Sequence, residues 1–167
     1  MSERLHTRLA HHLESEPVVV ATVLSTRGAT PRKPGTRMLV TATDAEATIG
    51  GGELEARVIA AARALLASGG PSAELPITLD GQPGAAGVCG GAMRIALRRW
   101  QGAADQARAA AIAAQLRAGS TVTLDASDLG AEGAGEVLQP DPRLLIIGGG
   151  HCAAALHELA RHLDFEL

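Results

Sequence analysis

Leucines at positions 5, 9 and 13 fall four apart, which puts one apolar stripe on a short helix over residues 2–14, ended by Pro17. Residues 17–24 are β-branched and apolar and read as a buried strand. Residues 36–41 read as its neighbour, across a loop over 25–35 that is too long for a plain hairpin. Thr48-Ile49 predicts a short strand that leads into Gly50-Gly51-Gly52, and from Glu53 apolar residues at 54, 58, 61 and 65 recur at helical spacing until Ser68-Gly69-Gly70-Pro71. A strand is expected over 76–80. Another follows the loop 81–91, where Met93, Ile95 and Leu97 alternate with Arg94 and Arg98, giving a half-buried strand with a basic outer face. An alanine-rich helix over 103–118, a strand over 120–124 and a glycine-, proline- and acid-rich linker over 128–142 come next. Arg143-Leu-Leu-Ile-Ile147 does not alternate and suits a central parallel strand, followed by Gly148-Gly-Gly-His-Cys-Ala153, a helix to about Leu163 and the start of a further strand at 164–167.

The elements together predict a mixed α/β protein, with an N-terminal α+β domain over 1–138 and the first strand–helix unit of a Rossmann-type domain over 141–167. On this reading the chain is a truncated form of a longer protein. Exposing the four apolar residues 144–147 without flanking strands would forfeit roughly 1.5–3 kcal/mol each. No internal repeat is found.

Composition narrows the functions. Among 167 residues, Trp100 and Phe165 are the only aromatics and Lys33 is the only lysine. Stacking platforms for single-stranded nucleic acid are therefore lacking, and a net charge of −3 argues against a duplex-binding surface. No apolar run approaches a membrane span and the N-terminus lacks a secretory stretch, so the expected location is the cytoplasm. Two cysteines without a Cys-x-x-Cys spacing exclude a disulfide scaffold and argue against structural zinc.

Four places could carry chemistry. Arg27, Arg32, Lys33 and Arg37 gather cations on one loop, suited to bidentate contacts with phosphate or simply to solvation. Gly50, Gly51 and Gly52 precede a helix and could cradle an anion with their amides, although Glu53 and Glu55 could satisfy the helix dipole instead. Cys89, in Gly87-Val-Cys-Gly90-Gly91, is stripped of steric cover by its glycines, which suits contact with a bulky ligand or with another protein's sulfur. Gly148-x-Gly150-x-x-Ala153, between a predicted strand and a predicted helix, has the form of a dinucleotide turn, with His151 placed to touch a ligand phosphate. Cys152 is expected to pack against the sheet, and His6, His11, His12, His157 and His162 to be solvated. No Ser/His/Asp arrangement stands out.

The blocks 27–40 (Arg-Gly-Ala-Thr-Pro-Arg-Lys-Pro-Gly-Thr-Arg-Met-Leu-Val), 48–55 (Thr-Ile-Gly-Gly-Gly-Glu-Leu-Glu), Cys89-Gly-Gly91 and Ile147-Gly-Gly-Gly-His151 together resemble the XdhC/CoxI family of xanthine dehydrogenase accessory proteins. The resemblance implies a non-catalytic maturation factor. Such a protein binds the molybdenum cofactor (molybdopterin), protects it while a cysteine desulfurase supplies the terminal sulfido ligand, and delivers it to a xanthine dehydrogenase-type apoenzyme. It also implies an N-terminal domain bearing the first three blocks joined to a Rossmann domain, and it aligns Cys89 with the family's cysteine, close to molybdenum or to sulfur in transit. The cofactor-binding set is then Arg27, Arg32, Arg37, Gly50, Gly51, Gly52, Cys89, Gly90 and Gly91, with a nucleotide at Gly148, Gly150 and His151. Gly87-Val88 departs from the larger or polar pair expected before the cysteine. The alternative is a fragment of an NAD(P)-dependent oxidoreductase, and a third reading is a domain that only docks the desulfurase or dehydrogenase. Dimerisation stays open.

Overall fold

The computed structural model describes residues 2–163. Its elements are α1 (Ser2–His12), β1 (Val18–Arg27), β2 (Arg37–Val40), β3 (Ala45–Glu46), α2 (Gly52–Ser68), β4 (Ser72–Leu79), β5 (Gly91–Trp100), α3 (Gly102–Arg117), β6 (Val122–Leu124), the helical turn α4 (Ala126–Leu129), β7 (Glu136–Leu138) and α5 (His151–Ala160).

Five strands form an antiparallel sheet in the order β3-β2-β1-β5-β4, and β6 and β7 form a separate antiparallel pair. The central position of β1 follows from its sequence. Residues 18–23 are buried on both faces, as a continuous β-branched run requires. Val19, Ala21 and Val23 join Met38, Val40, Ile95 and Leu97 beneath α2, which contributes Leu54, Val58, Ala62 and Leu65. Val18, Val20 and Leu39 face the other way, into a second core with Leu5 and Leu9 of α1, Ile112 and Leu116 of α3, Trp100 and the β6–β7 pair. The helix α2 ends where Gly69 turns left-handed and its N–H reaches the Leu65 carbonyl. The mixed α/β class is observed, with helices on both faces of an antiparallel sheet.

Several expectations change. The segment 128–142 is no plain linker: Leu129, Ala131 and Leu138 are buried, and β7 pairs with β6 in the register Val122↔Leu138. Small and acidic residues hid this, because only every second side chain of so short a strand needs to be apolar. The strand near residue 48 lies earlier, at Ala45–Glu46, and Ile49 is a fully buried core residue in a turn.

On β5 only Arg94 keeps the expected outward role, paired with Glu74. Arg98 is drawn over the Trp100 ring, 4.2 Å from its centroid, and forks onto both Asp105 oxygens. His6 is buried rather than solvated: its Nδ1–H donates to the Ser2 carbonyl at 2.7 Å.

The largest change concerns residues 143–147. Apart from a single bridge at Arg143 they join no ladder, and Leu145 and Ile147 are 82% and 90% exposed. A central parallel strand needs a strand on each side and helices on both faces, and the described residues supply neither. The helix after the glycine turn does form, as α5, with Ala160 its one buried residue. The strand expected at 164–167 lies outside the described residues.

Candidate functional site: a loop cluster at one end of the sheet

Three segments far apart in sequence meet where β1 ends and β5 begins. A Cβ added to Gly91 would lie 2.1 Å from the Ala29 carbonyl oxygen, and one added to Gly28 would lie 2.9 Å from that of Gly90. The loop after β1 and the Cys89-Gly-Gly91 segment therefore touch backbone to backbone, an approach that only glycine permits. On its other side the same loop presses Pro31 against Gly50, where a Cβ would be 2.6 Å from the proline Cγ. Arg57 of α2 closes the arrangement by donating to the carbonyls of Gly84 at 2.5 Å and Ala85 at 3.2 Å, which ties the helix to the loop that carries Cys89.

Cys89 is exposed at this junction, beside the highly exposed Val88. Arg27, Arg32 and Lys33 are exposed as well. Among the described residues their side chains make no ion pair or hydrogen bond, so three cations are held at the end of β1 and on the packed loop after it without a protein anion to neutralise them.

Three members of the expected binding set, Arg37, Gly50 and Gly51, are already committed to other partners. Arg37 does not reach outward with Arg27 and Arg32. Its side chain is 5% exposed and pairs with Glu136 Oε2 at 2.5 Å, while Nη1 donates to the Gly35 carbonyl at 3.0 Å. Alternation along β2 turns Arg37 inward on the α1 face with Leu39, and an isolated guanidinium there would be costly without a carboxylate.

The amides of Gly50 and Gly51 are likewise not waiting for an external anion. Glu55 Oε2 accepts from Thr48 Oγ1 at 2.5 Å, Gly51 N at 3.2 Å and Ile49 N at 3.3 Å, and Thr48 Oγ1 accepts from Gly50 N at 3.2 Å. At Gly51 the helix's own carboxylate takes the place an external anion could occupy.

The remaining candidates lie apart from the cluster. Gly148, Gly149 and Gly150 have nothing within 4 Å of an added Cβ, and α5 begins without a side-chain cap. A shallow cleft of about 350 Å³ is lined there by Ile146, Gly148, Ala153 and His157, but not by His151. Cys152 is exposed rather than packed. No group of three or more His, Cys, Asp or Glu residues able to hold a metal occurs among the described residues. No helix among them is long and apolar enough to cross a membrane.

Two titrating groups brace the elements that carry the loops. Burial holds the His6 imidazole down to about 4 despite its hydrogen bond to Ser2. Arg8 forks onto Glu46 at 2.6 and 2.8 Å and, with His12 at 2.6 Å, holds the Glu46 carboxyl down to about 2.

Residues 12–77 match the XdhC and CoxI family. The matched segment holds β1, the cationic loop, the Gly50 turn, α2 and most of β4, which is two of the three parties to the loop cluster. A solved structure from Bacillus halodurans, described as a xanthine dehydrogenase, superposes with a TM-score of 0.81 at 19% identity. The superposition covers 98% of this chain and 60% of that one, and at this identity it bears on the fold alone. No curated protein matches the sequence.

Glu136 and Arg57 are the residues that reading the sequence missed. Glu136 lies 99 positions from Arg37, and no local pattern announces that pairing. Arg57 had a weak signal, since Glu53 four residues earlier marks an i,i+4 pair on an exposed helix face.

Proposed function

We propose that this chain is an accessory protein for a xanthine dehydrogenase-type molybdenum hydroxylase, and that its loop cluster handles the molybdenum cofactor as cargo. The observation that carries the reading is the convergence of the three XdhC/CoxI-like blocks at one end of the sheet, with Cys89 exposed and Arg27 and Arg32 exposed and unpaired on the segment that packs against the Cys89 loop. The cofactor joins a dithiolene-bearing pterin to a phosphate. Guanidiniums suit the phosphate, and a thiol without steric cover suits the molybdenum or the sulfur in transit. With so few aromatics, the pterin would be held by backbone groups and arginines rather than by stacking. The Gly50–Gly52 turn then acts by supporting Pro31, and Arg37 by fixing the base of the loop.

Cargo held in this way would be passed to the apoenzyme after a cysteine desulfurase has supplied its sulfur, with both proteins meeting the exposed end of the sheet. In gel filtration after mixing with released molybdenum cofactor, the chain should retain pterin fluorescence. Cys89→Ala should weaken that retention and Cys152→Ala should not. No retention by the unsubstituted chain, or equal retention by both variants, overturns the assignment to Cys89.

A further inference from the structure

We propose that the cleft between the cationic loop and the start of α1 is a binding site for a small organic carboxylate with an apolar body. The cleft encloses about 390 Å³, within the range of small-molecule sites, and neither Cys89 nor Arg27 lines it. Its apolar wall comes from Leu5, Pro34 and Ala47. Its charged groups are Arg32, Arg37 and Glu136. Two guanidiniums against one carboxylate leave one unit of positive charge, which a monoanion balances and a dianion exceeds. Arg37 is fixed and nearly fully buried by Glu136, whereas Arg32 is free to fork onto a carboxylate entering from solvent.

Backbone strain marks the same place. Ala47 has φ 65° and is the one non-glycine residue in the left-handed region among the described residues. Strain of this kind costs on the order of 1–3 kcal/mol and tends to persist at ligand clamps. Here the strained Ala47–Thr48 turn lines the cleft together with Gly35 and Thr36.

The inference stands without the cofactor reading, although Arg32 belongs to both, so a ligand in the cleft would compete with cargo for that one guanidinium. An amide NMR titration of the full chain with benzoate tests it. Saturable shifts should centre on Gly35, Thr36, Ala47 and Thr48, and the neutral isostere benzyl alcohol should bind far more weakly. Arg32→Glu should weaken benzoate binding about tenfold or more, and Glu136→Gln, which keeps an acceptor for Arg37, should strengthen it by roughly threefold. Cys89→Ala should leave it unchanged. Absence of saturable shifts, equal binding of benzyl alcohol, or indifference to Arg32→Glu overturns the proposal. A chain that retains pterin through Cys89 yet ignores benzoate overturns this inference alone, and one that binds benzoate but retains no pterin overturns only the cofactor reading.

Discussion

The chain carries the tripeptide Gly-Gly-Gly twice, each time just before a helix, and the two copies have opposite surroundings. At 50–52 all three glycines have positive φ, Pro31 and Leu54 crowd Gly50, and the amides around the turn are taken by Glu55 and Thr48. At 148–150 only Gly148 has positive φ, nothing lies within 4 Å of an added Cβ, and the following helix has no acid in its first turn. A glycine run before a helix therefore says only that backbone can come close to something. What comes close is set elsewhere, by a carboxylate three residues past the first triplet and by a neighbouring loop.

The most forceful way to break the comparison is to put one methyl group into each turn. Gly50→Ala forces a side chain into φ 141° and to within 2.6 Å of Pro31 Cγ. It should cost about 3 kcal/mol or more in urea unfolding, from backbone strain and overpacking together. Gly149→Ala meets open space and should change stability by less than about 0.5 kcal/mol. Equal losses would mean that the two turns are equivalent and that the contact with Pro31 does not hold the loop cluster.

Acid probes the packed region in a second way, through His6. Burial lowers its pKa from 6.5 to about 4, so between those values the unfolded chain binds a proton that the folded chain refuses. Stability from the neutral buried imidazole is fully present above about pH 6.5 and is lost as pH falls toward 4, for a total of about 3 kcal/mol. Glu46, held down to about 2, acts lower: its contribution is present above its ordinary range near 4.5 and is lost as pH falls through about 2. The protection factor of the Gly51 amide, its intrinsic rate over its observed rate, should therefore fall from pH 6.5 to 4 in step with global stability. His6→Gln should flatten that slope. Exchange at Gly149 should follow its intrinsic rate throughout.

The contrast between the triplets also marks where the sequence could be read and where it could not. Periodicity placed α1, α2, β1 and β5, because each buries one clear apolar stripe or run, while α3 was legible from its alanine content rather than from a defined buried face. It also located the three loops, although β1 runs on to Arg27, α2 starts at Gly52 and β5 starts at Gly91. Local pattern could not reveal that Gly91 accommodates Ala29 or that Arg37 belongs to Glu136, since both depend on segments brought together only by the sheet order. The same limit explains 144–147, where an apolar run satisfies every local rule for a buried strand yet joins neither sheet among the described residues. The segment 128–138 failed in the opposite sense. Its glycines and acids suggested a linker, but Asp125 and Asp128 form a capping box that starts α4, and Arg108 pins Asp128 at 2.5 Å against the second core.

The gentlest test exchanges the carboxylate itself. Glu55→Gln keeps one carbonyl oxygen but loses the charge that accepts from Thr48, Ile49 and Gly51, and it should cost about 1 kcal/mol, the difference between a charge-assisted and a neutral hydrogen-bonded cap. The reciprocal change, Ala153→Glu, places an acid the same three residues past the second triplet. There it gains only the attraction of the helix dipole, a few tenths of a kcal/mol at an exposed site, because no loop presses the turn toward it. If Ala153→Glu instead slowed exchange at Gly149 as strongly as Glu55 protects Gly51, the carboxylate alone would be enough to close such a turn. Pro31, and with it the whole loop cluster, would then have no part in shaping the first.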